Sequence, residues 1–213
     1  MFWCIENVGR FLPIALTIHS LFSEKQDSHG SKIAYFCCQS FSLNVMHFET
    51  LAYLQTGTPR QQEAYRVLTQ YQVLEKLSGY DPLLIGTIPL NIDIESSDLD
   101  VICYWQDQQE FIDTVRDSFS SLKDFRIREK REIVVATFRL NTFDIEVFGQ
   151  NLPTRQQLGY RHMLVEDQLL RQYGEDFRQQ VIALKRQGYK TEPAFGKLLK
   201  LTGDPYEQLL RFE

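Results

Sequence analysis

Residues 83–105 read LLIGTIPLNIDIESSDLDVICYW, and this stretch decides the fold class of the chain. It contains two apolar runs, Leu83–Ile85 and Val101–Trp105, which have the length and side chains of buried strands. The first run ends at Gly86, whose missing side chain leaves space beside the backbone, and Thr87 follows with a hydroxyl. The sequence therefore predicts two strands joined by a polar loop.

Two carboxylates stand at the start of the second predicted strand, which runs from Asp98 to Trp105. Asp98 and Asp100 are two positions apart, so on a strand they project from the same face, roughly 6–7 Å apart. Like charges beside an apolar run are costly unless a cation compensates them, and Mg²⁺ takes carboxylate oxygens readily. The pair predicts a site for Mg²⁺ or Mn²⁺, although a solvated strand start is the common structural explanation for such a pair.

Helices and strands alternate around this stretch. Residues 58–61 have the pattern of a capping box, which predicts a helix that runs to Leu77 and stops at Gly79. Asn141 and Thr142 have turn chemistry and separate two apolar runs, which predicts a hairpin. The later predicted segments are a helix over 108–122, a strand over 125–130, hairpin strands over 133–140 and 143–148, and helices from Thr154 onward. These last helices are predicted to stop at Gly174, Gly188 and Gly203 and to start at Pro193 and Pro205.

This order of segments predicts an α+β fold with a small mixed sheet and a helical C-terminal part. A chain of 213 residues is long enough to bury one sizeable core. We expect one domain over residues 46–213, with a core over 46–150 and a helical appendage over 151–213. Regular patterning is missing before Met46, so we expect residues 1–45 to be an irregular extension and translation to begin at Met46.

Charge and cysteine content narrow the class of partner and the compartment. The net charge of −5 means that the whole-protein field repels polynucleotides, so bulk binding of nucleic acid is not expected. An apolar run over residues 11–22 is shorter than the roughly 20 residues that cross a bilayer, so no membrane partner is expected. The cysteines form no C-x-x-C pair, and reduced thiols predict a cytoplasmic location. They are Cys4, Cys37, Cys38 and Cys103.

The spacing of the glycine and the two aspartates resembles a known signature. Ile85-Gly86-Thr87, ten residues, and then Asp98-Leu99-Asp100-Val101 is similar to the signature of the nucleotidyltransferase superfamily, which has the polymerase-β-like fold. From about Tyr53 to the C-terminus the chain also resembles an uncharacterised family within that superfamily. The recurring features in this sequence are TGTPRQ at 56–61, SDLD at 97–100, FGQ at 148–150 and KTEPAF at 190–195.

The resemblance implies a third carboxylate on a later strand, and two residues compete for this role. Asp144 and Glu146 project from one face of the strand over 143–148. We expect Asp144 to act with Asp98 and Asp100, and we keep Glu146 as a further candidate metal ligand. Because the two-residue turn sets Arg139 opposite Asp144, a cross-strand ion pair is the alternative explanation for Asp144.

The resemblance also implies residues that contact a nucleotide. These are Gly86, Thr87, Arg161, His162 and Lys190. Three structural alternatives stay open: a turn glycine at position 86, a surface ion pair between His162 and Glu166, four residues apart on the helix that also carries Arg161, and a helix start at Lys190.

A run of basic residues is a further candidate for contact with an anion. Arg126, Arg128 and Lys130 share one face of a predicted strand. They would bind a triphosphate or an acidic acceptor, or they are cations on a solvated edge strand.

The implied function is metal-dependent transfer of a nucleoside monophosphate from a nucleoside triphosphate (NTP) to an unknown acceptor. Such chemistry needs positioning and charge stabilisation and no covalent protein intermediate. Two alternatives stay open: a non-catalytic module of the same fold that binds a nucleotide or a partner, and a phosphohydrolase that uses the same carboxylates.

Overall fold

The structure is a computed structural model that describes residues 22–26, 32–36 and 48–213. Contacts divide the chain into two units, residues 1–44 and 45–213. In the first unit, strands β1 (Phe22–Gln26) and β2 (Lys32–Phe36) pair antiparallel, although the sequence predicted no regular element there. The rest of the predicted extension over residues 1–45 lies outside the described residues, as does Met46, so the boundary between extension and domain stays a prediction.

In the second unit, the described residues 48–213 form a five-stranded sheet and six α-helices. The strands are β3 (Leu83–Ile85), β4 (Leu99–Tyr104), β5 (Lys123–Lys130), β6 (Ile133–Leu140) and β7 (Phe143–Gln150). The helices are α1 (Pro59–Gln70), α2 (Val73–Lys76), α3 (Gln108–Phe119), α4 (Leu158–Arg186), α5 (Thr191–Leu198) and α6 (Pro205–Leu209). Short 3₁₀ turns span Ala52–Thr56, Ser78–Tyr80, Thr154–Gln156 and Leu210–Phe212.

The sheet is mixed, as the sequence predicted. The strand order is β3-β4-β7-β6-β5, in which β4 and β7 are parallel and the other neighbours are antiparallel. α1 and α3 pack on one face of the sheet, and the C-terminal helices pack on the other face over β3 and β4. β4 lies between these layers, which explains its continuous apolar run. The α+β fold class with a helical C-terminal part is confirmed.

The helix that begins at Thr58 starts as predicted but ends earlier. The Thr58 hydroxyl accepts a hydrogen bond from the Gln61 backbone N–H, and the Gln61 side chain accepts one from the Thr58 backbone N–H, which completes the capping box. The prediction of one helix as far as Leu77 is wrong, because Gln72 has a left-handed backbone with φ of 54°. This turn redirects the chain into α2 and allows Val73 and Leu77 to enter the core.

Glycine and proline divide the C-terminal helices much as predicted. α4 contains a break at Gly174, where φ is 76°, and Gly188 follows the end of α4 with φ of 94°. Pro205 occupies the first position of α6, whereas α5 begins at Thr191, so Pro193 is its third residue. Proline is tolerated there because the first N–H groups of a helix have no intrahelical partner. Within residues 48–213, each helix is too short or too polar to cross a membrane.

Candidate active site

The end of β3 meets the start of β4 at a close approach that only glycine permits. The antiparallel register sets Ile85 opposite Asp100. Gly86 follows with φ of 90°, and a Cβ atom on Gly86 would lie 2.6 Å from Oδ2 of Asp100. The hydroxyl of Thr87 donates a hydrogen bond to Oγ of Ser97 at 3.2 Å. The two ends of the 86–97 loop are therefore held together beside the Asp100 carboxylate.

Arginines from two helices hold the 86–97 loop in position. Arg60 on α1 donates to the carbonyl of Ser97 at 3.0 Å and pairs with Asp93 at 3.2 Å. Arg178 on α4 donates to the carbonyl of Leu90. Because both helices belong to the packed core, this irregular loop has a defined path into β4.

Three carboxylates share the region where β4 begins. Asp98 is exposed and directly precedes β4, whereas Asp100 lies within the strand and is largely buried. Glu146 on β7 stands opposite Asp100 in the parallel register. Burial raises the pKa of Asp100 to about 7, and the charges of Asp98 and Glu146 add to the shift. Burial and the charge of Asp98 also raise the pKa of Glu146. The three carboxylates therefore repel one another in a region that is partly shielded from water.

Asp144 has a different environment from Glu146. Arg139 stands opposite Asp144 across the hairpin, and Arg139 Nε lies 3.7 Å from Oδ1 of Asp144. The predicted cross-strand pairing is confirmed. The Asp144 side chain is 71% exposed, while Glu146 is half-buried beside Asp100.

The carboxylates match the donor chemistry of Mg²⁺, which binds oxygen ligands. In the part of the chain from residue 48 onward, no three His, Cys, Asp or Glu side chains form a preassembled metal site. The fit therefore rests on donor type and charge. Asp98, Asp100 and Glu146 supply oxygens, and a divalent cation would offset the burial and the like charges that together raise the pKa of Asp100.

A cleft of about 400 Å³ opens beside Asp98 and Asp100, and neither Glu146 nor Asp144 is among the residues that line it. One wall is the end of β3 and the start of β4, and the other wall combines α4 with the start of α5. Of the predicted site residues, the cleft is lined by Gly86, Thr87, Asp98, Asp100, His162 and Lys190. Its size and mixed lining are typical of small-molecule sites.

Arg161 and His162 have partners elsewhere in the C-terminal part. Arg161 does not line the cleft, because its guanidinium donates two hydrogen bonds of 2.7 Å to Glu213. His162 is buried, and its Nε2 lies 2.8 Å from the carbonyl oxygen of Tyr206. The surface ion pair considered for His162 and Glu166 does not apply, since both side chains are buried. Burial raises the pKa of Glu166 well above its ordinary value.

Lys185 is a cleft residue that sequence analysis missed. It lies in the last turn of α4 and is only 7% exposed, yet it lines the cleft. Burial lowers the pKa of Lys185 to about 8, against the opposing effect of acids such as Glu166. A lysine close to the end of a helix has no local sequence signal for such a role. It reaches the cleft because α4 breaks at Gly174 and its second segment packs back toward the 86–97 loop.

Solved structures identify the class of fold. The structure of Cid1 poly(U) polymerase with Mg 3′-dATP bound matches with a TM-score of 0.50 and 12% identity, over 71% of this chain and 48% of that one. A second structure of Cid1, described in relation to RNA terminal uridylyl transferase activity, matches with a TM-score of 0.50 and 10% identity, over 76% and 53%. This chain has the polymerase-β-like nucleotidyltransferase fold. It spans about half the length of the solved structures it matches.

The family follows from the sequence match. A model of the family described as Domain of unknown function (DUF4269) matches residues 66–212. The chain belongs to this uncharacterised family. No curated protein matches the chain at a significant level.

Proposed function

We propose that this chain is a metal-dependent nucleotidyltransferase that transfers a nucleoside monophosphate from an NTP to an acceptor hydroxyl. The observation that carries the proposal is the parallel register of Asp100 and Glu146, next to Asp98 and beside Gly86. This arrangement brings Glu146 from β7 beside the two acids of the β4 start, which line the cleft. We assign the role of third carboxylate to Glu146 instead of Asp144, because Asp144 is exposed and paired with Arg139.

The proposed reaction forms a bond between the acceptor oxygen and the α-phosphorus of the NTP. The bond from that phosphorus to the oxygen that bridges to the β-phosphorus breaks, and pyrophosphate leaves with the electron pair. The hydroxyl proton passes to the Glu146 carboxylate and then to solvent. Asp98, Asp100 and Glu146 would hold Mg²⁺ or Mn²⁺, which supplies positive charge against the phosphate oxygens.

The cleft supports a role in binding the triphosphate. Lys185 and Lys190 are its cationic lining residues, and an ammonium group is a common partner of phosphate. The missing side chain at Gly86 makes room for the Asp100 carboxylate beside the cleft, and Thr87, whose side chain carries a hydroxyl, follows Gly86 in the cleft lining. Arg161 is left out of this set, and His162 contributes by holding the start of α6 against α4.

The test is Mg²⁺-dependent release of pyrophosphate and transfer of label from each of the four NTPs, labelled at the α-phosphate, into a mixed acceptor pool. We expect pyrophosphate release and label transfer with the natural chain, and neither reaction with Asp98→Asn or Asp100→Asn. If no NTP yields pyrophosphate with any acceptor tried, the proposal fails.

The same experiment separates the two alternative functions. A phosphohydrolase would give free nucleotide and no labelled acceptor, because water is the nucleophile. A non-catalytic module would bind a metal–nucleotide complex without turnover. Calorimetry would then show binding that Asp98→Asn abolishes.

A cytoplasmic location stays a prediction.

A further inference from the structure

One row of paired residues crosses the sheet from the carboxylates to its edge. Asp100, Glu146, Thr137 and Arg126 stand opposite one another on the successive strands β4, β7, β6 and β5. Neighbouring strands lie about 4.8 Å apart, so the backbone of Arg126 is roughly 10 Å from that of Glu146. Paired residues share a face of a sheet, so all four side chains project from the same side.

The neighbouring rows place more positive charge on the same face. Arg128 and Lys130 follow Arg126 at alternate positions of β5, and all three side chains are exposed. None of them forms an ion pair with a carboxylate in residues 48–213, whereas Arg116 pairs with Glu129 on the opposite face at 2.9 Å. The edge of the carboxylate face therefore carries uncompensated cations.

This face is less covered toward the edge. Over β3 and β4, residues such as Leu83 and Ile102 are buried in the core formed with α4. On β6 the same face carries Val135 and Thr137, which are only half-buried, and on β5 it carries exposed Arg126. A shallow surface therefore leads away from Glu146, on the side away from the cleft wall formed by α4.

We propose that the acceptor is a small molecule with a phosphate group, bound across this surface with its hydroxyl at Glu146 and its phosphate at Arg126 and Arg128. The inference rests on the proposed nucleotidyl transfer. Guanidinium groups bind phosphate through paired, charge-assisted hydrogen bonds. The side chains of Arg126 and Glu146 stand roughly perpendicular to the sheet, so the separation of roughly 10 Å between their backbones leaves room for about one sugar unit between the guanidinium and the carboxylate.

Charge favours a small acceptor over a polynucleotide. The chain carries a net charge of −5, and within residues 48–213 the three unpaired cations of this face are confined to β5. A long polyanion would meet this repulsion along its length, while one phosphate group meets the local cations at β5. Transfer of label to RNA would therefore contradict the proposal.

Cations on an edge strand also have a structural explanation, because they prevent association between sheet edges. The two explanations differ in what a substitution changes. A protective role predicts that Arg126→Ala promotes concentration-dependent association and leaves ligand affinity unchanged. Acceptor binding predicts a loss of affinity for the phosphorylated compound alone.

The first measurement is calorimetry on the full chain, saturated with Mg²⁺ and a non-hydrolysable NTP analogue. The probes are sugar monophosphates and nucleoside monophosphates, each compared with its dephosphorylated counterpart. We expect at least one phosphorylated member to bind tenfold or more tightly than its counterpart. Arg126→Ala and Arg128→Ala should each weaken that binding tenfold or more, and Arg116→Ala on the opposite face should change it less than twofold. Equal binding of the matched compounds, or an equal effect of Arg126→Ala and Arg116→Ala, would overturn the proposal.

The second measurement follows label from the α-labelled NTP. We expect label on the phosphorylated small molecules, with KM for the acceptor raised tenfold by Arg126→Ala and KM for the NTP unchanged. Label on a 3′-hydroxyl RNA oligonucleotide, or on the dephosphorylated compounds alone, would overturn the proposal. If no pyrophosphate is released while phosphate-dependent binding at Arg126 persists, the proposed transfer has failed and the anion site stands without it.

Discussion

Asp100 on β4 stands opposite Glu146 on β7 in a parallel register. A parallel pair cannot be joined by a tight turn, and here the chain passes through α3, β5 and β6 between the two strands. The fold of the whole sheet therefore brings these two acids together, and the residues around them determine how substitutions near the pair act.

Substitution of the two hairpin acids should have different effects on activity. Glu146→Gln removes a carboxylate that we assign to the reacting hydroxyl, so we expect the transfer rate to fall by about 10²-fold or more. Asp144→Asn removes a charge paired with Arg139 at the surface, so we expect the rate to change less than threefold. Pyrophosphate release at saturating NTP measures both. A larger loss with Asp144→Asn would return the role of third carboxylate to Asp144.

Asp100→Asn should stabilise the metal-free protein in a pH-dependent way. Folding raises the pKa of Asp100 from 3.8 to about 7, so the folded state holds this proton more tightly than the unfolded state. The free-energy cost of ionising Asp100 in the folded state is therefore absent below the unfolded pKa of 3.8. It grows as pH rises from 3.8 to about 7 and is complete above about pH 7. At pH 8 the variant should be more stable than the natural chain, by roughly 2–4 kcal/mol.

Urea denaturation at pH 8 and pH 4, without divalent cations, checks this expectation. The difference between the two proteins should shrink at pH 4, where Asp100 is largely protonated in the folded state. Mg²⁺ at pH 8 should raise the stability of the natural chain and leave Asp100→Asn nearly unchanged. A variant that is less stable than the natural chain at both pH values would contradict the explanation by burial and like charge.

Gly86→Ala should lose activity beyond its loss of stability. The backbone at Gly86 has φ of 90°, and the new methyl group would lie 2.6 Å from a carboxylate oxygen of Asp100. Gly203→Ala is a matched control, because Gly203 has φ of 100° and its nearest neighbour would be 3.4 Å away, on the Gln208 side chain. Both variants should lose about 1 kcal/mol or more of stability from the left-handed backbone.

The turnover of the folded fraction separates these two glycine variants. We expect Gly203→Ala to keep its kcat at a temperature where it is fully folded, and Gly86→Ala to lose tenfold or more. An unchanged kcat in Gly86→Ala would mean that the close approach to Asp100 has no part in the reaction.

Lys185→Met should weaken NTP binding and remove its dependence on pH near 8. Folding lowers the pKa of Lys185 from 10.5 to about 8, so the free folded protein loses this charge as pH rises through 8. Bound phosphate would favour the charged form, and NTP affinity should therefore fall between pH 7 and pH 9.5. The acids that act on Lys185 are Glu166, Asp93, Asp98 and Glu192.

Calorimetry with a non-hydrolysable NTP and Mg²⁺ at these two pH values provides the measurement. At pH 7 we expect the Kd to rise about tenfold in Lys185→Met and to stay within twofold in Lys200→Met, where an exposed lysine outside the cleft lining is lost. The natural chain and Lys185→Met should converge in affinity toward pH 9.5. Parallel pH profiles in the two proteins would exclude Lys185 from phosphate binding.

Short patterns were sufficient for much of the fold and for one side of the site. The capping box at Thr58 and Gln61, the turn at Asn141, and the strand that follows Asp98 all form as predicted. Each depends on neighbours only a few residues away, since caps, turns and strand alternation are local properties of the backbone. The same locality explains why Gly86 and the pair of Asp98 and Asp100 stand out in the sequence as candidate site residues.

Other features depended on packing between distant segments. Sequence favoured Asp144, but it is the register between β4 and β7 that brings Glu146 beside Asp100. The burial of Glu166 and the arrival of Lys185 in the cleft follow from the path of α4 after its break at Gly174. Local sequence patterns determined most of the helices and strands after residue 58 and the acids that begin β4. Tertiary structure decided which acids face one another and which charges are desolvated, because strand register and burial are set by contacts between residues far apart in the chain.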